Sequence, residues 1–114
     1  MIKYRDQLTK TYEYNEEGKE AFALYDLSEF EGISEKIKQF SFVELNVGEE
    51  VPYHVHTGNA ENYYIISGKG LYNDNGKTVE VYDGTITFTP SGEGHALKNI
   101  GDGILTFIAL VLKN

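Results

Sequence analysis

From residue 48 onward, apolar and aromatic positions come in short alternating runs separated by turn residues, a pattern that predicts a succession of β-strands. The turns read as Asn73-Asp74-Asn75-Gly76, Asp83-Gly84, Ser91-Gly92-Glu93-Gly94 and Gly101-Asp102-Gly103. Asn75-Gly76 is the sharpest of them, because Asn-Gly readily supplies the positive φ angles of a tight hairpin. Residues 36–47 form a longer run, rich in aromatic and β-branched side chains, and a change of phase near Phe42 and Val43 predicts a bulge there. Residues 104–112 are apolar on both faces, which fits a strand covered on both sides or a subunit interface and is too short to cross a bilayer. Upstream, residues 20–27 read as a strand or a short helix, with the strand favoured. Residues 28–33 read as a loop, and residues 1–19 as a polar, peripheral arm with an exposed turn at 15–19. With no sustained helical period and no internal repeat, the expected class is an all-β sandwich or barrel.

Composition narrows the chemistry. At 114 residues the chain suits one domain, and its 40 % aliphatic and aromatic content is that of an ordinary globular protein. Cysteine is absent, so disulfides, thiolate metal sites and cysteine nucleophiles are excluded. A net charge of -8 opposes nucleic-acid binding, which relies on clustered Lys and Arg. Arginine occurs once, as Arg5. No run approaches a membrane span and the first residues carry no apolar signal core, so a cytoplasmic location without membrane association is expected.

The candidate chemistry lies in the three histidines. In His54-Val55-His56 the imidazoles are two residues apart, so on a strand both project to one face, about 7 Å apart along it. Gly58 and Asn59 supply turn chemistry before Glu61 opens the run 61–66, where a carboxylate can return to the same point. His95 follows the turn at Pro90, and all three histidines read as standing at strand beginnings beside turns. Three neutral imidazoles and a carboxylate suit a divalent Mn, Fe, Co, Ni or Zn ion and leave one or two positions open.

These spacings resemble the two motifs of the cupin superfamily. Gly48, five residues, His54-X-His56, four residues, Glu61, six residues and Gly68 match the first motif. Gly84, five residues, Pro90-X-Gly92, two residues, His95, three residues and Asn99 match the second. Fifteen residues separate the two motifs, as in small bacterial single-domain cupins, a group that carries an oxalate decarboxylase-like label. The resemblance implies a single-domain double-stranded β-helix, or jelly-roll barrel. Residues 1–33 would form an N-terminal arm able to supply an edge strand, and residues 34–114 the barrel. It implies one divalent metal ion (Mn, Fe, Ni or Zn) held by His54, His56, Glu61 and His95. Alternation adds Tyr63 and Ile65 on the Glu61 face and Leu97 on the His95 face as cavity lining.

Tyr63 is the candidate to orient substrate. Tyr53, Tyr64 and Tyr72 read as packing residues with wet hydroxyls, Glu49, Glu50 and Glu93 as solvated loop acids, and Lys98 as outward-facing. Characterised oxalate decarboxylases have two cupin domains and a cavity arginine; this chain has one motif pair, and Arg5 lies outside both motifs. Two functional readings follow. One is a metal-dependent enzyme of dioxygenase, decarboxylase or isomerase type, acting on a small carboxylate or oxygen-rich metabolite. The other is a non-catalytic module that binds or senses a small ligand anchored on the metal. A purely structural ion is a third possibility. The apolar C-terminal strand and the open sheet edges of a jelly roll predict a homodimer.

Overall fold

The computed structural model describes residues 1–30, 32–33 and 35–113. Glu31, inside the expected 28–33 loop, and Ser34, the first residue of the expected barrel unit, lie outside the described residues. Among the described residues ten strands follow a 3-10 turn at Arg5–Gln7. They are β1 (Lys10–Tyr14), β2 (Glu20–Asp26), β3 (Ile37–Leu45), β4 (Glu50–Val55), β5 (Asn59–Ser67), β6 (Lys69–Asp74), β7 (Lys77–Tyr82), β8 (Ile86–Thr89), β9 (Gly94–Asn99) and β10 (Leu105–Lys113). No helix among the described residues is long and apolar enough to cross a membrane.

The strands form two facing antiparallel sheets, ordered β1-β2-β3-β10-β5-β8 and β4-β9-β6-β7, the double-stranded β-helix that the motif spacings imply. The alternating pattern places Val43, Leu45, Ile65, Leu97, Leu105 and Phe107 between the sheets as a closed core. Residues 20–27 resolve as a strand, and β2 adds Phe22 and Leu24 to that core through its pairing with β3. Residues 10–14, read as part of a peripheral arm, form the exposed edge strand β1. The run 104–112 becomes the central strand β10, flanked by β3 and β5. Its inner positions are buried, and its outer ones, Thr106, Ile108 and Leu110, are only half-buried.

The Asn75-Gly76 hairpin forms as read: Asn75 has φ 51° and Gly76 φ 102°, joining β6 to β7 through two residues. The bulge expected at Phe42 and Val43 is absent, since Phe42 pairs with Ile108 and Val43 with Phe107 without interruption. Alternation holds because Ser41 faces inward, where Gln39 Nε2 donates to its hydroxyl at 3.1 Å. A small polar residue on the inner face, beside outward-facing phenylalanines, had imitated a change of phase. The register shift of β3 lies instead opposite Val111 and Leu112, between Gln39 and Ile37.

Candidate metal centre

The position of His54 depends on a bulge that the sequence reading did not place. In the β4–β9 ladder Val51 pairs with Leu97 and His54 with His95, so two residues, Pro52 and Tyr53, stand opposite the single Ala96. Strict alternation from the inward-facing Val51 would turn His54 outward. The extra residue reverses the phase and brings His54 to the inner face. Pro52 suits this place, because it has no N–H to give to the ladder, and its carbonyl accepts the His54 Nδ1–H at 2.8 Å. His54 thus lies near the end of β4 and His56 just past it, while His95 is the second residue of β9. The expectation that all three histidines begin strands holds only for His95. The motifs are joined at the backbone as well: His56 N–H donates to the Glu93 carbonyl at 2.9 Å, and Gly92 N–H to the His56 carbonyl at 2.7 Å.

These elements bring the four sequence-predicted ligands together. The donor atoms of His54, His56, Glu61 and His95 lie within 4.8 Å of one another, a group that could hold a metal ion. His95 Nε2 is 3.1 Å from both His54 Nε2 and His56 Nε2. Glu61 Oε1 is 2.9 Å from His56 Nε2 and from His95 Nε2, and 3.8 Å from His54 Nε2.

All three rings turn Nε2 toward the common point because each Nδ1 has its own partner. These partners are Pro52 O for His54, the Asn59 side-chain carbonyl for His56, and the hydroxyls of Tyr72 (2.9 Å) and Thr89 (3.0 Å) for His95. With Nδ1 carrying the proton, three Nε2 lone pairs and a carboxylate face one another. Such crowding of acceptors is relieved by a cation, and outer partners of this kind are how metal-binding imidazoles are oriented. The donor set therefore fits a divalent ion with nitrogen and oxygen ligands.

Protons on the rings are the alternative to a cation at this point. Burial pushes the Glu61 carboxyl up, but hydrogen bonds from His54 and His95 and the charge of the neighbouring histidines outweigh it and hold it at about 2, so it is ionised. Burial pushes His95 down, keeping its ring neutral. The hydrogen bond to Glu61 pushes His54 up. Tyr63 stacks on the His95 ring, with centroids 4.7 Å apart and planes 27° apart. Burial, with the Glu61 charge beside it, raises the Tyr63 phenol well above its ordinary value, so it stays protonated and can donate a hydrogen bond but not accept a proton.

His54, His56, Glu61 and Tyr63 line a single cavity of about 600 Å³ between the sheets. Ile65 and Leu97, expected in its wall, belong instead to the closed core. A further step of two residues along each strand carries them past the Tyr63 layer, and Leu97 fills the space over Gly70, where an added Cβ would come within 2.6 Å of it. Tyr53 stands at the cavity, half exposed, with its ring against Gly94, and Tyr64 points outward. Glu49 accepts the Asn46 N–H in a turn, and Lys98 is exposed, as read.

Tyr72 departs from expectation: it is 2 % exposed, and its hydroxyl is not wet but bonded to His95 and Thr89. Asn59, read as a turn residue, is a buried residue of β5 that holds His56. Thr89 was not singled out. The only available signal was its place beside Pro90 in the second motif, since its strand partner, Glu61, lies far off in sequence.

Known proteins share this fold. The cupin domain model matches residues 41–111, more than half of the chain. A Thermotoga maritima protein named oxalate-binding protein is 37 % identical over 95 residues, covering 83 % of this chain and 78 % of its own. The crystal structure of a predicted oxalate decarboxylase from Thermotoga maritima superposes with a TM-score of 0.89 at 33 % identity over the full length of both chains. A sugar phosphate isomerase from Silicibacter pomeroyi has the same fold at TM-score 0.73 and 21 % identity, over 82 % of this chain and 60 % of that one. With both motifs, the two-sheet topology and the family match in register, this chain belongs to the cupin superfamily.

Proposed function

We propose that this chain is a cytoplasmic cupin that holds one divalent ion on His54, His56, Glu61 and His95 and uses it to act on a small carboxylate or oxygen-rich metabolite. The observation that carries this reading is the convergence of four donor atoms within 4.8 Å beside a cavity large enough for a ligand. The 2.9, 3.1 and 3.8 Å spacings are within reach of ligands that share one ion about 2.1 Å away. The ion would supply a net positive centre for an anionic oxygen and polarise a carbonyl. The protein holds the rings by their Nδ1 atoms, keeps Glu61 ionised, and presents the Tyr63 hydroxyl as a fixed donor that orients substrate. The test is turnover of a panel of small carboxylates and 2-oxo acids by the manganese, iron and nickel forms, lost in His56→Ala.

A second reading, a binding module, has its own support. Apart from the ligand Glu61, the carboxylate among the described lining residues is the exposed Glu13, so no free base stands beside the donor atoms. The relative named oxalate-binding protein agrees with it. Thermal stabilisation by a carboxylate that is recovered unchanged favours this reading over the enzyme.

We also propose a homodimer through the outer face of the six-stranded sheet. Tyr25, Phe42, Ile108, Tyr64 and Ile86 oppose one another across five strands in one apolar row. Beside the row, Arg5 pairs with Glu44 at 3.6 Å and lies over the Tyr25 and Phe42 rings. For a chain of charge -8, a row flanked by Arg5, Glu44 and Lys10, which lies over the Tyr25 ring, rather than by acids alone is where a second copy can approach, and the row complements itself about a two-fold axis. A monomer by light scattering at micromolar concentration would refute it.

A further inference from the structure

We infer that the ligand of this cavity is amphipathic: a single carboxylate or 2-oxocarboxylate head at the metal centre, carrying a hydrocarbon or aryl body. The inference rests on the metal-anchored reading above and names the substrate class. The cavity, at about 600 Å³, falls within the roughly 300 to 1,000 Å³ that enclose drug-sized ligands. Oxalate, two joined carboxylates without apolar carbon, leaves most of it unfilled.

The wall has the wrong chemistry for a second carboxylate. Polar residues such as Gln39, Tyr53 and Thr57 line the more exposed side of the cavity, while away from the donor atoms its buried lining is Phe22 and Leu24 of β2, Val43 of β3, Val51 of β4, and Phe107 and Ala109 of β10. A charge against such a surface loses its hydration without a partner. A divalent ion with one carboxylate ligand keeps a net charge of about +1, enough to balance one anionic head. A second anionic group would need a cation from the protein. The chain's single arginine is on the opposite face of the sheet, engaged with Glu44. Lys38, which also lines the cavity, is exposed to solvent.

The cavity divides between two parts of the chain. All four donors lie within residues 41–111, the stretch that matches the family, while Phe22 and Leu24 precede it. The head site thus lies within the family stretch, and β2, in the N-terminal region that the full-length structural match also covers, supplies part of the wall.

The test is calorimetric binding to the manganese-loaded protein of oxalate, pyruvate, 2-oxohexanoate and phenylpyruvate, with metal content measured in parallel. Affinity is expected to rise about fourfold per methylene buried, so that 2-oxohexanoate binds about 60-fold more tightly than pyruvate, with oxalate weaker than either longer acid. Ala109→Leu, which fills the wall beneath the body, should abolish that gain. Phe22→Ala trims the wall without adding bulk and should reduce the gain severalfold, which covers the case in which Ala109→Leu does not fold. Metal-dependent binding in which oxalate is tightest, or in which affinity ignores chain length, overturns the amphipathic ligand and leaves the metal-anchored site standing. Binding that is equal in metal-free protein, or absent for every probe, refutes the metal-anchored reading and this inference with it.

Discussion

Tyr72 and Thr89 offer a quantitative check on how the site is held. Both hydroxyls reach His95 Nδ1, at 2.9 and 3.0 Å, and lie 3.0 Å from each other; Tyr72 is 2 % exposed, and Thr89 and His95 are fully buried. Tyr72→Phe deletes one hydroxyl, keeps the ring, and leaves Thr89 as a partner for His95. The expected loss in the metal-free protein is that of one neutral hydrogen bond, about 1 kcal/mol, or a fall in Tm of about 4 °C. Metal affinity should fall about tenfold, the usual effect of losing an outer partner of a ligand. Thr89→Val should behave alike.

The double variant removes both partners and strands the His95 N–H where water does not reach. Its cost should exceed the sum of the single losses by about 1 to 2 kcal/mol, with metal affinity about 100-fold below wild type. Thermal melts of metal-free protein, with competition against a chelator of known affinity, supply both numbers. Additive losses, or affinity within twofold of wild type in the double variant, would refute the claim that these hydroxyls orient His95.

Acid should act through Glu61. Its folded value of about 2 lies below the ordinary 4.5, so it contributes stability above pH 4.5 that is lost as pH falls toward 2, on the order of 3 kcal/mol. Denaturant melts of metal-free wild type and Glu61→Gln should therefore converge across that window, and parallel curves would count against it. His54, raised by Glu61, contributes in the opposite sense: its share is present below pH 6.5 and is lost as pH rises through the raised value. The motif glycines should separate cleanly. Gly68→Ala combines φ 115° with a Cβ 2.8 Å from the Leu105 backbone and should cost about 2 to 4 kcal/mol, whereas Gly84→Ala, at φ 85° with nothing within 4 Å, should cost about 1 kcal/mol; equal losses would contradict this.

Much of the donor set was legible because it rests on short-range order. The spacings of His54, His56, Glu61 and His95 and the turns at Asn75-Gly76 and Gly84 are local, and local patterns survive in a linear reading. What was missed depends on the partner strand. The bulge at Pro52 and Tyr53 shows only when β4 is laid against β9, so alternation within 54–56 was legible while its phase relative to Val51 was not. Tyr72 and Thr89 meet His95 through inter-strand pairing, and apart from Pro90 beside Thr89 nothing in their own neighbourhoods distinguishes them from packing residues. Ser41 misled in the other direction, as a polar residue on an inner face. The outward row from Tyr25 to Ile86 likewise emerges only once five strands are in register.

The central claim, a metal ion on three histidines and a glutamate, is tested most directly by elemental analysis of the protein reconstituted with manganese, iron, nickel or zinc and then freed of excess ion. The expected result is one ion per chain in wild type, with His95→Ala and Glu61→Gln each folded and losing most of it. Wild-type protein that retains no ion after reconstitution with any of the four, or variants that keep a full complement, would contradict the account.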